Sequence, residues 1–214
     1  MRRIDDGSLV IYTDGPVGFG NNIYLVVDAA TNEAAFIDAP GEAAECMAVA
    51  EAAGVRPATI LLTHSHGDHT ACIDGLKAAY GCKLVADARE PWLKDGQLDV
   101  AVAHGDTVSV GGLAFQVLSV PGHTPGSTTF LHGKHAFVGD TLFPGGPGNS
   151  RSNELLQQEI ASITTQLYAL PGETVVWPGH GANTTIDESK AEYAGFAARP
   201  HAPDLHGDVA WLTS

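Results

Sequence analysis

A layered α/β fold is what this sequence predicts, on three observations. Strand-like segments recur along the chain, helical apolar stripes follow them in two places, and Gly- and Pro-rich punctuation separates the elements. With 214 residues, 44% of them hydrophobic and 17% charged, the chain can bury a sizeable core, and one domain over 1–214 is expected.

The first strands are expected at 8–13, 22–28 and 34–38, with Ile23, Leu25 and Val27 alternating with Tyr24 and Val26. Together they predict an antiparallel meander. Residues 42–53 carry apolar Ala43, Cys46, Met47 and Ala50, with Glu42 and Glu45 in the first turn and Gly54 beyond the end, which predicts a helix. The continuous apolar run 58–62 predicts a strand covered on both faces. From Thr70 the spacing turns helical through Ile73, Leu76 and Tyr80 to a stop at Gly81. Further strands are expected at 83–86, 107–110, 113–119, 127–132 and 135–138, the last two joined by the turn Gly133-Lys134. They predict a second sheet. Leu156, Ile160, Ile163 and Leu167 place a helix over 153–169 behind Ser152 or Asn153, and a strand follows at 173–177.

Formal net charge is −14 with histidine counted neutral, so a phosphate backbone or an anionic membrane is repelled. Nucleic acid and membrane are therefore not expected partners. No apolar run approaches the roughly 20 residues of a membrane helix. Met1-Arg2-Arg3-Ile4-Asp5-Asp6 lacks the apolar stretch of a signal peptide, and Cys46, Cys72 and Cys82 form no disulfide framework. A cytoplasmic location is expected.

The chemistry concentrates in Thr63-His64-Ser65-His66-Gly67-Asp68-His69-Thr70, which sets three imidazoles and a carboxylate at the end of a buried strand. Unbound, that many polar groups would be costly there. In an extended segment alternate side chains share a face, so His64, His66 and Asp68 are expected to converge while His69 enters from the turn into the helix. This suits two metals better than one. His123 in Pro121-Gly122-His123-Thr124-Pro125-Gly126, Asp140 and His180 in Pro178-Gly179-His180-Gly181 each follow a predicted strand. Cys72 is expected in the core, and His104, His132, His135, His201 and His206 at exposed loop or hairpin positions.

Taken in order, His64-x-His66-x-Asp68-His69, His123, Gly139-Asp140-Thr141-Leu142-Phe143 and His180 resemble the metallo-β-lactamase superfamily, nearest its glyoxalase II-like branch. The resemblance implies an αββα sandwich with the site along one edge of its two sheets. It implies one metal on His64, His66 and His123, a second on Asp68, His69 and His180, and Asp140 bridging both. Two divalent ions, zinc first with iron or manganese as alternatives, would share a hydroxide that attacks an ester or thioester, with Asp68 also able to relay a proton. Such a centre carries roughly +1 charge, so a small, anionic substrate is expected.

Departures from glyoxalase II lie beside the site. That family follows its bridging aspartate with Gly-Cys-Gly and Arg or Lys, where this chain has Gly146-Pro147-Gly148-Asn149, and has a Tyr after the last metal histidine, where this chain has Gly181-Ala182-Asn183. Its C-terminal glutathione-binding region is also longer than the residues after 186. Two loops are the candidates for substrate contact: 15–20, with Phe19, and 144–151, ending in Arg151. The alternative function is an oxygenase similar to the persulfide dioxygenases, with one iron on His64, His123 and Asp140. A β-lactamase or lactonase ranks below these, and RNA processing lowest for want of a basic surface.

Overall fold

Strands β1 (Arg2–Asp6), β2 (Leu9–Val17), β3 (Asn21–Asp28) and β4 (Ala34–Ile37) form the antiparallel part of the first sheet in a computed structural model that describes residues 1–214. Helix α1 (Ala43–Ala53) then crosses to β5 (Thr59–Leu61), and α2 (Gly67–Thr70) with α3 (Ile73–Tyr80) crosses to β6 (Lys83–Asp87). With β7 (Val100–Val102), strands β4 to β7 pair in parallel. Parallel neighbours cannot be joined by a tight turn, which is why helices appear at this point of the chain. Helix α1 begins where the Glu42 N–H donates to the Glu45 carboxylate at 2.8 Å and stops at Gly54, in the left-handed region at φ 70°.

The second sheet contains β8 (Thr107–Val110), β9 (Leu113–Ser119), β10 (Thr128–His132) and β11 (His135–Gly139) as an antiparallel meander. A two-stranded ribbon of β12 (Leu142–Phe143) and β13 (Gly146–Pro147) leads to α4 (Asn153–Ser162). Strand β14 (Val175–Pro178) returns parallel to β11, β15 (Thr184–Thr185) closes the edge, and α5 (Ile186–Ala197) packs outside.

Three apolar layers hold these parts together. Val10, Tyr12, Leu25 and Phe36 pack on Cys46, Val49, Ile73 and Leu76 of α1 and α3. The alternate residues Leu9, Ile11, Tyr24 and Val26 meet Phe115, Phe130, Phe137 and Trp177 of the second sheet. Leu131, Val138 and Val176 then face Leu156, Ile160, Ile186 and Phe196. Period-two alternation thus covers each sheet on both faces, giving helix, sheet, sheet, helix. No helix is long and apolar enough to cross a membrane.

Several expectations change. The helical turn begins at Gly67, where the His69 N–H and the Thr70 hydroxyl both reach the His66 carbonyl, so Asp68 leaves the extended face of His64 and His66. The helix expected over 153–169 ends at Ser162 and continues as a π-helical turn, Ile163–Leu167. There the Thr164 and Thr165 hydroxyls donate to the Ile160 and Ala161 carbonyls and compete with the helical ladder. His135 is buried, not exposed: it donates through Nε2 to Asp6 at 3.0 Å and accepts from Trp177 Nε1 at 3.1 Å. Cys72 is in the core as expected, its Sγ 3.8 Å from that of Cys46.

Candidate metal centre

Each candidate ligand lies just beyond a strand or on the short helix that follows one. His64 and His66 leave β5, Asp68 and His69 occupy α2, His123 follows β9, Asp140 follows β11 and His180 follows β14. The structure brings all seven to one edge of the sandwich. The donor atoms of His64, His66 and His123 form one convergent set, and those of Asp68, His69 and His180 another, each within 4.8 Å of one another. Between them lies Asp140, with Oδ1 3.3 Å from His69 Nε2 and Oδ2 3.4 Å from His180 Nε2 and 3.9 Å from His123 Nε2.

The surroundings fix these rings. Asp38 also lies near His64 and His69, but its oxygens are already taken by the Thr63 N–H at 2.7 Å, the Thr63 hydroxyl at 2.8 Å and His69 Nδ1 at 2.8 Å. It orients His69 and leaves Nε2 toward Asp140. His123 Nδ1 is bound to the Asn149 carbonyl at 2.9 Å, which fixes that ring likewise. Asn21 Nδ2 donates to Asp68 Oδ2 at 2.8 Å. Glu90, fully inside, accepts from the Ser65 N–H at 2.6 Å and from the Thr124 hydroxyl, tying the two ligand loops together.

Burial first, then the neighbouring rings, lowers His64 well below the ordinary histidine value and His66 to about 4; burial lowers His123 as well. All three shifts favour the neutral imidazole. The second group differs: burial alone would lower His69, but Asp38 and Asp140 raise it well above the usual value. Hydrogen bonds to Asp140 and Asp68 lift His180 to about 9. Burial likewise opposes ionisation of Asp68 and Asp140, yet His180 and His69 hold both carboxyls well below the usual range.

Two depressions open on the centre. One, about 410 Å³, is lined by His123, Asp140, Phe143, Asn149 and Asp208. The other, about 320 Å³, lies between Phe19, Asn21, Glu42, Glu45 and Asp68, with Phe19 87% exposed on the β2–β3 hairpin. Arg151 places its guanidinium 5.0 Å from the ring of Trp92, which stacks on His66 at 4.8 Å and 29°. A larger depression, about 590 Å³ between Asp87, Arg89, His104 and Ser119, contains none of the seven ligand candidates. Sequence reasoning missed Asn21, Asp38, Glu90 and Trp92, since no motif marks a residue that acts through a fold-made contact.

An αββα sandwich with seven ligand-type side chains at one sheet edge defines a class of metal-dependent enzymes. The metallo-beta-lactamase superfamily model matches residues 17–194, and the chain belongs to that superfamily as a glyoxalase II-like hydrolase. It is 35% identical over 205 residues to the hydroxyacylglutathione hydrolase of Ectopseudomonas mendocina (strain ymp), a match that covers 94% of this chain and 76% of that one. Other hydroxyacylglutathione hydrolases are matched over 61% to 72% of their own length. Among solved structures it is similar to ETHE1 from Myxococcus xanthus, with a TM-score of 0.76, 33% identity and coverage of 84% and 81% of the two chains. It is also similar to TTHA1623 in a di-iron-bound form, with a TM-score of 0.70, 31% identity and coverage of 84% and 96%. The family implies a dinuclear divalent metal site and a small-molecule substrate.

Proposed function

We propose that residues 1–214 act as one domain that hydrolyses a thioester or ester of a small anionic acid, in the manner of hydroxyacyl-thiol hydrolysis. The observation that carries this is the pair of three-residue donor sets with Asp140 between them. The residues fit a metal pair on their own chemistry: His64 Nε2 and Asp140 Oδ1 are buried polar atoms with no hydrogen-bond partner, and both belong to the donor sets. His64, His66 and His123 would hold one ion, Asp68, His69 and His180 the other, and Asp140 both. Zinc is the proposed metal, because histidine nitrogen and carboxylate oxygen are its ordinary ligands; iron and manganese accept the same donors.

When bound, such a pair supplies a water acidified toward neutral pH and a Lewis acid for the scissile carbonyl. The chain supplies the rest. Asp38 and the Asn149 carbonyl hold His69 and His123 in fixed tautomers. Asn21 fixes the orientation of Asp68, whose carboxylate would take the proton of the attacking water and return it to the departing thiolate or alkoxide. No side-chain nucleophile is required. Free, buried Cys46, Cys72 and Cys82 support a cytoplasmic setting, and the acidic balance supports a partner list without nucleic acid or membrane.

The test is metal analysis combined with a thioester, lactone and persulfide panel. Two metals per chain with thiol release are expected; one iron per chain with sulfite production from a persulfide would replace the hydrolase with the dioxygenase.

A further inference from the structure

Trp92 and Arg151 come from loops far apart in sequence, yet both are fastened to the metal edge. The Trp92 backbone N–H donates to Ser65 Oγ at 3.2 Å, and the Ser65 backbone N–H donates to Glu90 at 2.6 Å, so the main chain at Trp92 is anchored to the loop that carries His64 and His66. It stacks on the His66 ring while remaining 46% exposed. The other tryptophans, Trp177 and Trp211, are buried in core layers.

Arg151 is the cation that reaches Trp92. Arg3, Lys77, Arg89, Lys94 and Lys134 each pair with an aspartate, whereas no ion pair engages Arg151 and its neighbour is the Trp92 ring. Arg2, Arg56 and Arg199 also lack an ion pair, but Arg151 lies over the ring that stacks on the ligand candidate His66, and stacking on an indole positions its donors without using them. The surface beside the first donor set thus offers the exposed edge of an indole and a planar fork of free N–H groups. A carboxylate accepts such a fork through two parallel hydrogen bonds, and an apolar stem covers an indole.

We infer that Trp92 and Arg151 form a specificity subsite for a carboxylate carried on an apolar stem of the substrate, in the acyl or the leaving group. This rests on the hydrolase reading above and adds the chemical class that the site selects. Arg151 binds the carboxylate, and Trp92 positions Arg151 and carries the stem.

The test uses metal-loaded protein and a matched pair of probes, S-acetyl mercaptobenzoate and its methyl ester. The wild type is expected to prefer the carboxylate in kcat/KM, and R151Q to reduce that preference about tenfold or more, through KM, as loss of a charged hydrogen-bonded contact dictates. R151K should restore part of it, and W92F more than W92A. Equal losses on both probes, or an unchanged preference, would overturn the subsite while leaving the hydrolase intact. If the wild type cleaves neither probe, the hydrolase reading fails by itself. Quenching of tryptophan fluorescence by methylthiobenzoate then reads the subsite without catalysis, with weaker binding expected in R151Q and W92F. A titration that neither variant changes would overturn it.

Discussion

At the level of single residues, the seven ligand candidates are the legible part of the proposed site. His64, His66, Asp68, His69, His123, Asp140 and His180 announce themselves by chemistry and by position after predicted strands. The residues that hold them do not. Asp38 is an ordinary strand-end aspartate in sequence, and only the fold gives it a left-handed φ of 61° and three donors. Asparagine also tolerates that conformation, so D38N should fold and yet lose roughly ten- to a hundredfold in metal affinity, because its amide is a weaker partner for His69 Nδ1. Competition with a chromophoric chelator would measure this; an unchanged affinity would remove Asp38 from the metal-supporting network. D68N is expected to lower kcat roughly a hundredfold or more, combining a weakened second metal with a lost proton acceptor. Full metal content with wild-type kcat would exclude both roles.

At the level of elements, periodicity predicted the central strands of both sheets to within a few residues and failed at the margins. Strand β1 is charged and half exposed, and β7, β12, β13 and β15 are two or three residues long, too short for a pattern to register. Helix α5 has a weak apolar stripe, although Thr185 and Glu188, which exchange hydrogen bonds at 3.0 and 3.3 Å, form a capping box readable in advance. Helix α4 carries Glu159 into the interior beneath the 144–149 loop, where Oε1 accepts from the Gly148 N–H at 3.1 Å and Oε2 has no partner. Burial pushes this carboxyl from 4.5 up to about 9; the Gly148 hydrogen bond opposes the rise and the Asp140 charge adds to it. The folded protein therefore keeps a proton that the unfolded chain releases near 4.5. The stability this contributes is complete below that pH and declines as pH climbs toward about 9. E159Q, neutral throughout, should show a flatter decline of Tm over this window, and parallel curves would contradict the assignment. Gly179 makes a sharper demand, since a Cβ there would overlap Asp140 Oδ1 and His69 Cε1. Gly179→Ala should fold with its centre displaced, seen as metal loss without a matching loss of secondary structure.

Across the molecule, the layered arrangement followed from patterning, whereas strand order did not, because β11 and β14 pair in parallel only after more than thirty intervening residues have packed outside the sheet. Metal binding is coupled to protonation across both sheets. His180, lifted to about 9, and His69, also raised by its carboxylates, hold protons that a cation has to displace. Apparent metal affinity should accordingly rise with pH up to about 9, and a flat profile would refute that protonation pattern. Loading at about a hundred times Kd should stabilise the fold by about 2.7 kcal/mol per site, a rise of roughly 5–10 °C in Tm that a chelator reverses. Because His64 and His66 extend from β5 of one sheet while His123, Asp140 and His180 extend from β9, β11 and β14 of the other, each donor set spans the sandwich. Neither sheet can then open by itself without dismantling the centre. Deuterium uptake at β5 and at β11 should slow together when metal is added, so that two halves which breathe separately become a single cooperative unit.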